Sequence, residues 1–334
     1  MKWLDISQGE NSQAAIEAAS AIIRTGGIVA FPTETVYGLG ADAFCEPAVR
    51  RVFEIKGRKA DNPLIVHVAD MKDLDRFVEE IKPWARQLMA AFWPGTLSIV
   101  LKRKPGSFSD VVTGGLGSVA VRMPDNKATL ALIRACKTPL VGPSANLSGS
   151  PSPTKAVHVK QDFDDRIEAI LVDDAAYIGI ESTVVDGRGD FPVILRPGAI
   201  TLDMLRDVVG QAALQDSADV EVPRSPGMKY AHYQPKARVW LVDGDGKAEK
   251  IRRFLAENEH TGLFLSSELA HRIEAPMVIT YDDTIKAAQL FYAALREFDE
   301  AGVAAIVCEV VDESGLGYAL MNRMKKSADN HYIQ

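Results

Sequence analysis

Cysteine, positive charge and long apolar runs are all scarce in this chain, and each shortage removes a class of function. Only three cysteines, Cys45, Cys136 and Cys308, occur in 334 residues. They are odd in number, far apart and without histidines at metal-ligand spacing, so neither a disulfide framework nor a zinc site is predicted. All three are read as buried, inert thiols. No apolar run is long enough to cross a bilayer. Met1-Lys2-Trp3-Leu4-Asp5 turns acidic and polar at once, whereas a secretion signal needs a basic start and an apolar stretch. The expected location is therefore the cytoplasm. Lys and Arg number 38 against 45 Asp and Glu, a formal net charge of −7 that argues against a broad nucleic-acid surface but allows a local basic pocket. No Gly-x-x-x-x-Gly-Lys-Ser/Thr loop is present, so a triphosphate would have to be held mainly by side chains.

What remains is an ordinary globular composition, 47% hydrophobic and 25% charged, in a chain long enough for two cores. Residues 13–24 carry apolar positions at helical spacing and stop at Gly26-Gly27. Residues 28–31 read as a buried strand closed by Pro32. Further strands are predicted at 64–68, 96–101, 118–122, 170–172, 183–186 and 193–195, and helices at 48–56, 84–92, 129–136 and 202–209. Consecutive strands without an intervening helix near 183–195 point to a mixed sheet. Residues 211–237 lose periodicity and gather prolines, which marks a linker. After it, strands at 238–242, 262–265, 277–280 and 304–308 alternate with helices at 247–257, 268–273, 284–298 and 318–325, the signature of a small doubly wound parallel sheet. The division expected is 1–210, linker 211–237, and 238–334.

Three stretches carry candidate chemistry. Phe31-Pro32-Thr33-Glu34-Thr35-Val36-Tyr37-Gly38-Leu39-Gly40-Ala41-Asp42 is a strand end followed by a loop of hydroxyls, one carboxylate and two glycines. It reads equally as a site lining or as a capped turn. Gly38-x-Gly40-x-x-Ala43 imitates a dinucleotide fingerprint, but six residues separate its first glycine from the strand. Lys56-Gly57-Arg58-Lys59-Ala60-Asp61-Asn62-Pro63 is a helix end with three cations, either a solvated terminus or an anion-binding set, and His67 in the following strand alone reads as a core histidine. Residues 140–154 leave a buried strand through Ser144, Asn146 and Thr154, where ligands collect in α/β sheets, although a merely polar loop has the same composition. Arg122, Ser182 and Arg196 interrupt apolar strands. An arginine entering a sheet in this way requires an anionic partner.

Taken together, Pro32-Thr33-Glu34-Thr35-Val36-Tyr37-Gly38-Leu39-Gly40, the Lys56/Arg58 with Ser144/Asn146 set, Glu181-Ser182-Thr183-Val184-Val185-Asp186 and Leu195-Arg196-Pro197-Gly198 resemble the YrdC family over nearly the whole chain. The similarity is to the long form of threonylcarbamoyl-AMP synthase with its extra C-terminal domain. It implies a twisted mixed-sheet α/β core with its ligands on a basic concave side, followed by a Rossmann-like parallel-sheet domain. By position it places L-threonine at Thr35, His67, Arg122, Ser144 and Ser182, and ATP at Arg58, Asn62, Ser118, Asn146, Thr154 and Arg196. Lys56 and Arg58 become the catalytic cations, acting on ATP with Mg²⁺ and on bicarbonate, and no protein metal ligand is implied. The linker residues Tyr230, His232 and Tyr233 become ATP-facing lid residues, with a plain tether as the alternative. The product would serve N6-threonylcarbamoyladenosine formation in tRNAs reading ANN codons, through downstream transfer proteins and without membrane contact. Truncating Lys56 is expected to lower adenylation far more than stability. The rival from another class is an RNA-binding module without catalysis, though aromatic stacking platforms are not evident. A carbamoyl-phosphate-dependent maturation enzyme would need acylphosphatase and zinc-motif regions that the sequence does not show.

Overall fold

A computed structural model describes residues 1–6, 12–215 and 233–334. Tyr230 and His232 lie outside the described residues. The chain forms two compact units. The first holds an eleven-stranded sheet ordered β1-β8-β2-β3-β7-β4-β6-β5-β9-β10-β11. Its strands are β1 Lys2–Asp5, β2 Val29–Phe31, β3 Gly38–Asp42, β4 Ile65–His67, β5 Leu97–Lys102, β6 Ser118–Arg122, β7 Leu140–Val141, β8 Ala169–Val172, β9 Thr183–Asp186, β10 Val193–Arg196 and β11 Ala213–Leu214. Pairing is mixed. Strands β4 and β6 run parallel, β5 and β6 antiparallel, and β9 and β10 antiparallel.

Strand β3 corrects the sequence expectation, which treated the stretch from Pro32 to Asp42 as loop. Glycine disfavours strands in isolation. Here the lack of a Cβ is what permits the strand, because the Phe31 ring of antiparallel β2 lies across it. A Cβ on Gly38 would stand 2.6 Å from Phe31 Cζ, and one on Gly40 2.8 Å from Phe31 Cδ1. The two glycines therefore pave an aromatic packing site rather than a phosphate loop. The helix Ala156–Phe163 and strand β1 were also not foreseen. Cys136 and Cys308 are buried as expected, but Cys45, at the N-cap of helix Glu46–Lys56, is only half-buried.

The expected linker is not uniform. Its first described residues extend the large sheet, since Ala213 and Leu214 pair with Val193 and Ile194. Its last belong to the second unit, where the backbone N–H groups of Lys236 and Ala237 donate to Asp299 Oδ1 at 2.9 and 3.1 Å. That unit contains β12 Arg238–Val242, β13 Thr261–Ser266, β14 Val278–Tyr281 and β15 Ala305–Glu309, all parallel in the order β12-β15-β13-β14. This is the doubly wound arrangement that the β-α alternation predicts.

Side-chain alternation divides the large sheet into two faces. Ile99, Leu101, Val119, Val121, Val66 and Val185 point into the main core. Their neighbours Ile65, Val100, Ala120, Val184 and Leu195 form a second, small apolar cluster on the opposite face. His67, Ser98, Arg122 and Ser182 share that opposite face by the same period of two. A polar cluster thus stands beside an apolar floor at the centre of the sheet.

Candidate active site

Arg122 is the centre of the cluster. It ends β6 directly beside His67 of β4, and its residue surface is only 4% exposed. Burial at this level requires that its donors be used. Nε donates to the Gly95 carbonyl at 3.1 Å and Nη1 to Thr35 Oγ1 at 2.9 Å. Nη2 lies 2.7 Å from Glu34 Oε1, an ion pair not aligned as a hydrogen bond. The anionic partner that the sequence argument demanded is therefore first of all Glu34, a residue that argument passed over.

A tight turn holds Thr35 and Glu34. Thr33 Oγ1 donates to the Val36 carbonyl at 2.6 Å and accepts the N–H groups of Thr35 and Val36 at 3.2 Å each. Such hydroxyl–backbone bonds are the usual reason for Thr in a turn. Buried Thr129 anchors the same turn by donating its hydroxyl to the Pro32 carbonyl at 2.5 Å.

His67 is 2% exposed and meets Phe31 edge-on, with ring centroids 5.4 Å apart. Burial, and secondarily the charge of Arg122, pushes its pKa down to about 3. The ring is accordingly neutral at physiological pH, and Nδ1 has no protein partner. Because the unfolded histidine titrates near 6.5, the unfolded chain binds the extra proton first. Stability is thus full above pH ~6.5 and falls as acid is added down to about 3. Thermal melts should show a His67→Gln variant losing less stability than the parent across this window; equal losses would contradict the assignment.

The backbone at Gly142 approaches both rings. A Cβ there would stand 2.5 Å from His67 Nδ1 and 2.7 Å from Phe31 Cζ. Gly142→Ala should therefore destabilise by about 1–3 kcal/mol, the usual cost of overpacking, and shift the titration of the His67 ring. Wild-type melting and titration behaviour would contradict this.

Lys56 departs from expectation. Expected as a catalytic cation of the site lining, it is 2% exposed and its Nζ donates to the carbonyls of Ser144 and Asn146 at 2.5 Å each. Burial, followed by repulsion from Arg58, holds its pKa well below the usual lysine range. Gly57, left-handed at φ 61°, ends helix Glu46–Lys56 and points the last side chain at the loop. Lys56 is thus a positioning residue for the Ser144–Asn146 loop. The same loop is tied to β3 through a Gly38–Ser144 bridge and the Leu39 N–H donating to Pro143 O at 2.7 Å.

Ser182 and Arg196 form the neighbouring group. Arg196 Nη2 donates to Ser182 Oγ at 3.1 Å and to its carbonyl at 3.0 Å, and Ser182 Oγ meets Ser98 Oγ at 2.8 Å. Thr183 N–H donates to Thr96 O at 2.9 Å, next to the Gly95 carbonyl that holds Arg122. Thr35, His67 and Arg122 are neighbours, Ser182 and Arg196 join them through the Gly95–Thr96 segment, and the loop of Ser144 and Asn146 is tied in through its backbone. Ser98 and Glu34 complete the cluster and were missed. Ser98 carried the same signal as Arg122, a polar residue in an apolar strand.

The remaining expected residues attach less directly. Arg58 turns back, its Nη2 donating to Asn62 O at 3.2 Å and Pro63 O at 3.0 Å. Ser118 begins β6, on the same face as Arg122 but about 13 Å away along the strand. Thr154 lies on the segment whose Pro153 carbonyl accepts the Tyr37 N–H at 2.8 Å. Asn62 Oδ1 and Thr154 Oγ1, like His67 Nδ1, are buried without a protein partner, and each such group calls for a physical reason. Tyr233 belongs to the second unit, its ring 5.3 Å from that of Tyr292 and its carbonyl accepting from Ser327 Oγ at 2.7 Å.

Residues 21–198 match the Sua5/YciO/YrdC family, described as "Telomere recombination", and residues 200–329 match "Threonylcarbamoyl-AMP synthase, C-terminal domain". Threonylcarbamoyl-AMP synthase of Pyrococcus abyssi is 43% identical over 325 residues, covering 96% of this chain and 95% of the relative. The Bacillus subtilis protein of the same name is 43% identical over 330 residues, covering 96% and 94%. Among solved structures, P. abyssi Sua5 complexed with L-threonine superposes with a TM-score of 0.94 at 40% identity, covering 100% of this chain and 99% of that one.

Proposed function

The chain belongs to the threonylcarbamoyl-AMP synthase family, and from that membership and the Arg122 cluster we propose that it joins L-threonine, bicarbonate and ATP into threonylcarbamoyl-AMP, releasing pyrophosphate. The observation that carries the site reading is Arg122 itself, a buried guanidinium flanked by a hydroxyl, a neutral imidazole and an apolar floor. That combination suits a small amino acid with a carboxylate, a hydroxyl and a methyl group.

In this reading Arg122 takes the threonine carboxylate. Thr35, Ser144 and Ser182 supply hydroxyls, and neutral His67 offers a hydrogen bond without adding charge. The amine adds to CO₂ formed from bicarbonate, giving a carbamate and a proton. A carbamate oxygen then attacks the α-phosphorus of ATP in line, and pyrophosphate leaves. The obstacle is mutual repulsion among carboxylate, carbamate and triphosphate, so fixed cations and positioning do most of the work. Arg196 and Arg58 face the phosphates, with Asn62, Ser118, Asn146 and Thr154 as polar contacts. Lys56 contributes by fixing the Ser144–Asn146 loop. Burial of the patch limits water, which would hydrolyse the mixed anhydride.

Among the described residues no group of three or more His, Cys, Asp or Glu side chains could hold a metal. Mg²⁺ would enter with ATP and neutralise charge on its phosphates. Among the described residues no helix is long and apolar enough to cross a membrane. We place the reaction in the cytoplasm and its product in the modification of ANN-reading tRNAs, delivered through downstream transfer proteins. An RNA-binding role is disfavoured because the polar groups of the cluster are enclosed rather than spread over an exposed face. Pyrophosphate release that requires both threonine and bicarbonate is the expected result. Release indifferent to either would overturn the reading.

A further inference from the structure

Buried Arg122 by itself would attract any small anion that could reach it. The structure does not leave its charge uncompensated. Glu34 Oε1 lies 2.7 Å from Arg122 Nη2, and the side chains are 1% and 5% exposed. Neither carboxylate oxygen of Glu34 accepts a hydrogen bond within the protein. The contribution of this carboxylate is therefore its charge, delivered to one guanidinium. The Thr33-centred turn fixes that delivery, because Glu34 sits between Thr33 and Thr35, and both the N–H and the hydroxyl of Thr35 engage Thr33 Oγ1. The groups bonded to or paired beside Arg122 add no charge: a backbone carbonyl, a threonine hydroxyl and an imidazole that burial keeps neutral; the next carboxylate, Asp125, accepts the Tyr177 hydroxyl at 2.9 Å.

We propose that Glu34 is a specificity-determining positioning residue that makes the Arg122 subsite electrically neutral overall, so that it accepts an α-amino acid as a zwitterion and rejects a carboxylate lacking the adjacent amine. The inference rests on the assignment of the threonine carboxylate to Arg122. In a site largely removed from water, charge imbalance is costly over several ångströms. A lone carboxylate arriving at the Glu34–Arg122 pair leaves one net negative charge. The ammonium of an α-amino acid, one carbon from its carboxylate, cancels it. Without the charge of Glu34 the preference should reverse toward simple anions.

The test is calorimetric titration of the full chain with L-threonine and with 3-hydroxybutyrate, which is threonine without its amine. The parent protein should prefer threonine by about tenfold or more, an effect the size of one screened charge interaction. In Glu34→Gln the two affinities should converge to within about threefold, with 3-hydroxybutyrate gaining. Glu34→Asp, which keeps the charge, should retain the preference, and unchanged ATP affinity in each variant reports folding. If Glu34→Gln weakens both ligands by the same factor, Glu34 is only a structural partner and the proposal fails. If Arg122→Lys leaves threonine affinity unchanged, the carboxylate is not bound there, and the underlying assignment fails instead. Should Glu34→Gln not fold, the parent ratio decides: equal affinities overturn the proposal, and a tenfold preference supports it.

Discussion

Arg122→Ala should reduce threonine-dependent pyrophosphate release by roughly a hundredfold or more, the size of effect expected when one member of a desolvated charge pair is removed. Two losses combine. On the proposed assignment the substrate carboxylate loses its fork of donors, and Glu34 is left buried without the cation that compensates it. The second loss costs about 3–5 kcal/mol of stability in typical buried pairs, so activity must be compared at a temperature where both proteins are folded. Arg122→Lys separates the effects. Lysine keeps the charge but cannot serve the Gly95 carbonyl, Thr35 hydroxyl and substrate at once from a planar fork. The KM for threonine should rise about tenfold or more while the KM for ATP moves less than about twofold. A parallel rise in both constants would show that Arg122 supports the fold rather than the amino acid.

Lys56→Ala should be costly in a different way. The ammonium is buried, and its two bonds hold the carbonyls of Ser144 and Asn146. Truncation takes the lysine donor from both carbonyls; Ser144 O keeps the N–H of Asn146 at 3.0 Å, while a buried carbonyl left unsatisfied costs about 1–3 kcal/mol. A loss of about 2 kcal/mol follows, which in a unit of this size lowers the melting temperature by roughly 4–8 °C. Activity should fall as well, because the loop carrying Ser144 and Asn146 is no longer fixed. Lys56→Met, which restores volume but not donors, should recover little of either. On this geometry the effect on stability is substantial, not small beside the effect on adenylation. An alanine variant that melts like the parent would return Lys56 to the role of an open catalytic cation.

How far the sequence discloses this molecule depends on how local each signal is. Helix Glu46–Lys56 is legible because its pattern and its glycine stop lie within a dozen residues. The second unit is legible because each strand and helix repeats the same short alternation, and β12 and the helix Lys247–Glu257 fall where predicted. Strand β3 is not, because its glycines only make sense once the Phe31 ring lies across them. The orientation of Lys56 is hidden for a similar reason, since its partners are carbonyls on a loop remote in sequence. Glu34 shows the limit most clearly. The rule that a buried arginine needs an anion was available, but nothing in the order of residues pairs Arg122 with one particular carboxylate.

The most direct measurement of the central claim, that threonine is activated at the Arg122 cluster, is mass analysis of the products formed from ATP, L-threonine and ¹³C-bicarbonate. The expected product is threonylcarbamoyl-AMP heavier by one mass unit in the carbamoyl carbon, formed by the parent protein and nearly lost in Arg122→Lys. Pyrophosphate and AMP without a labelled adduct, or an adduct formed equally well by the Arg122→Lys protein, would contradict it.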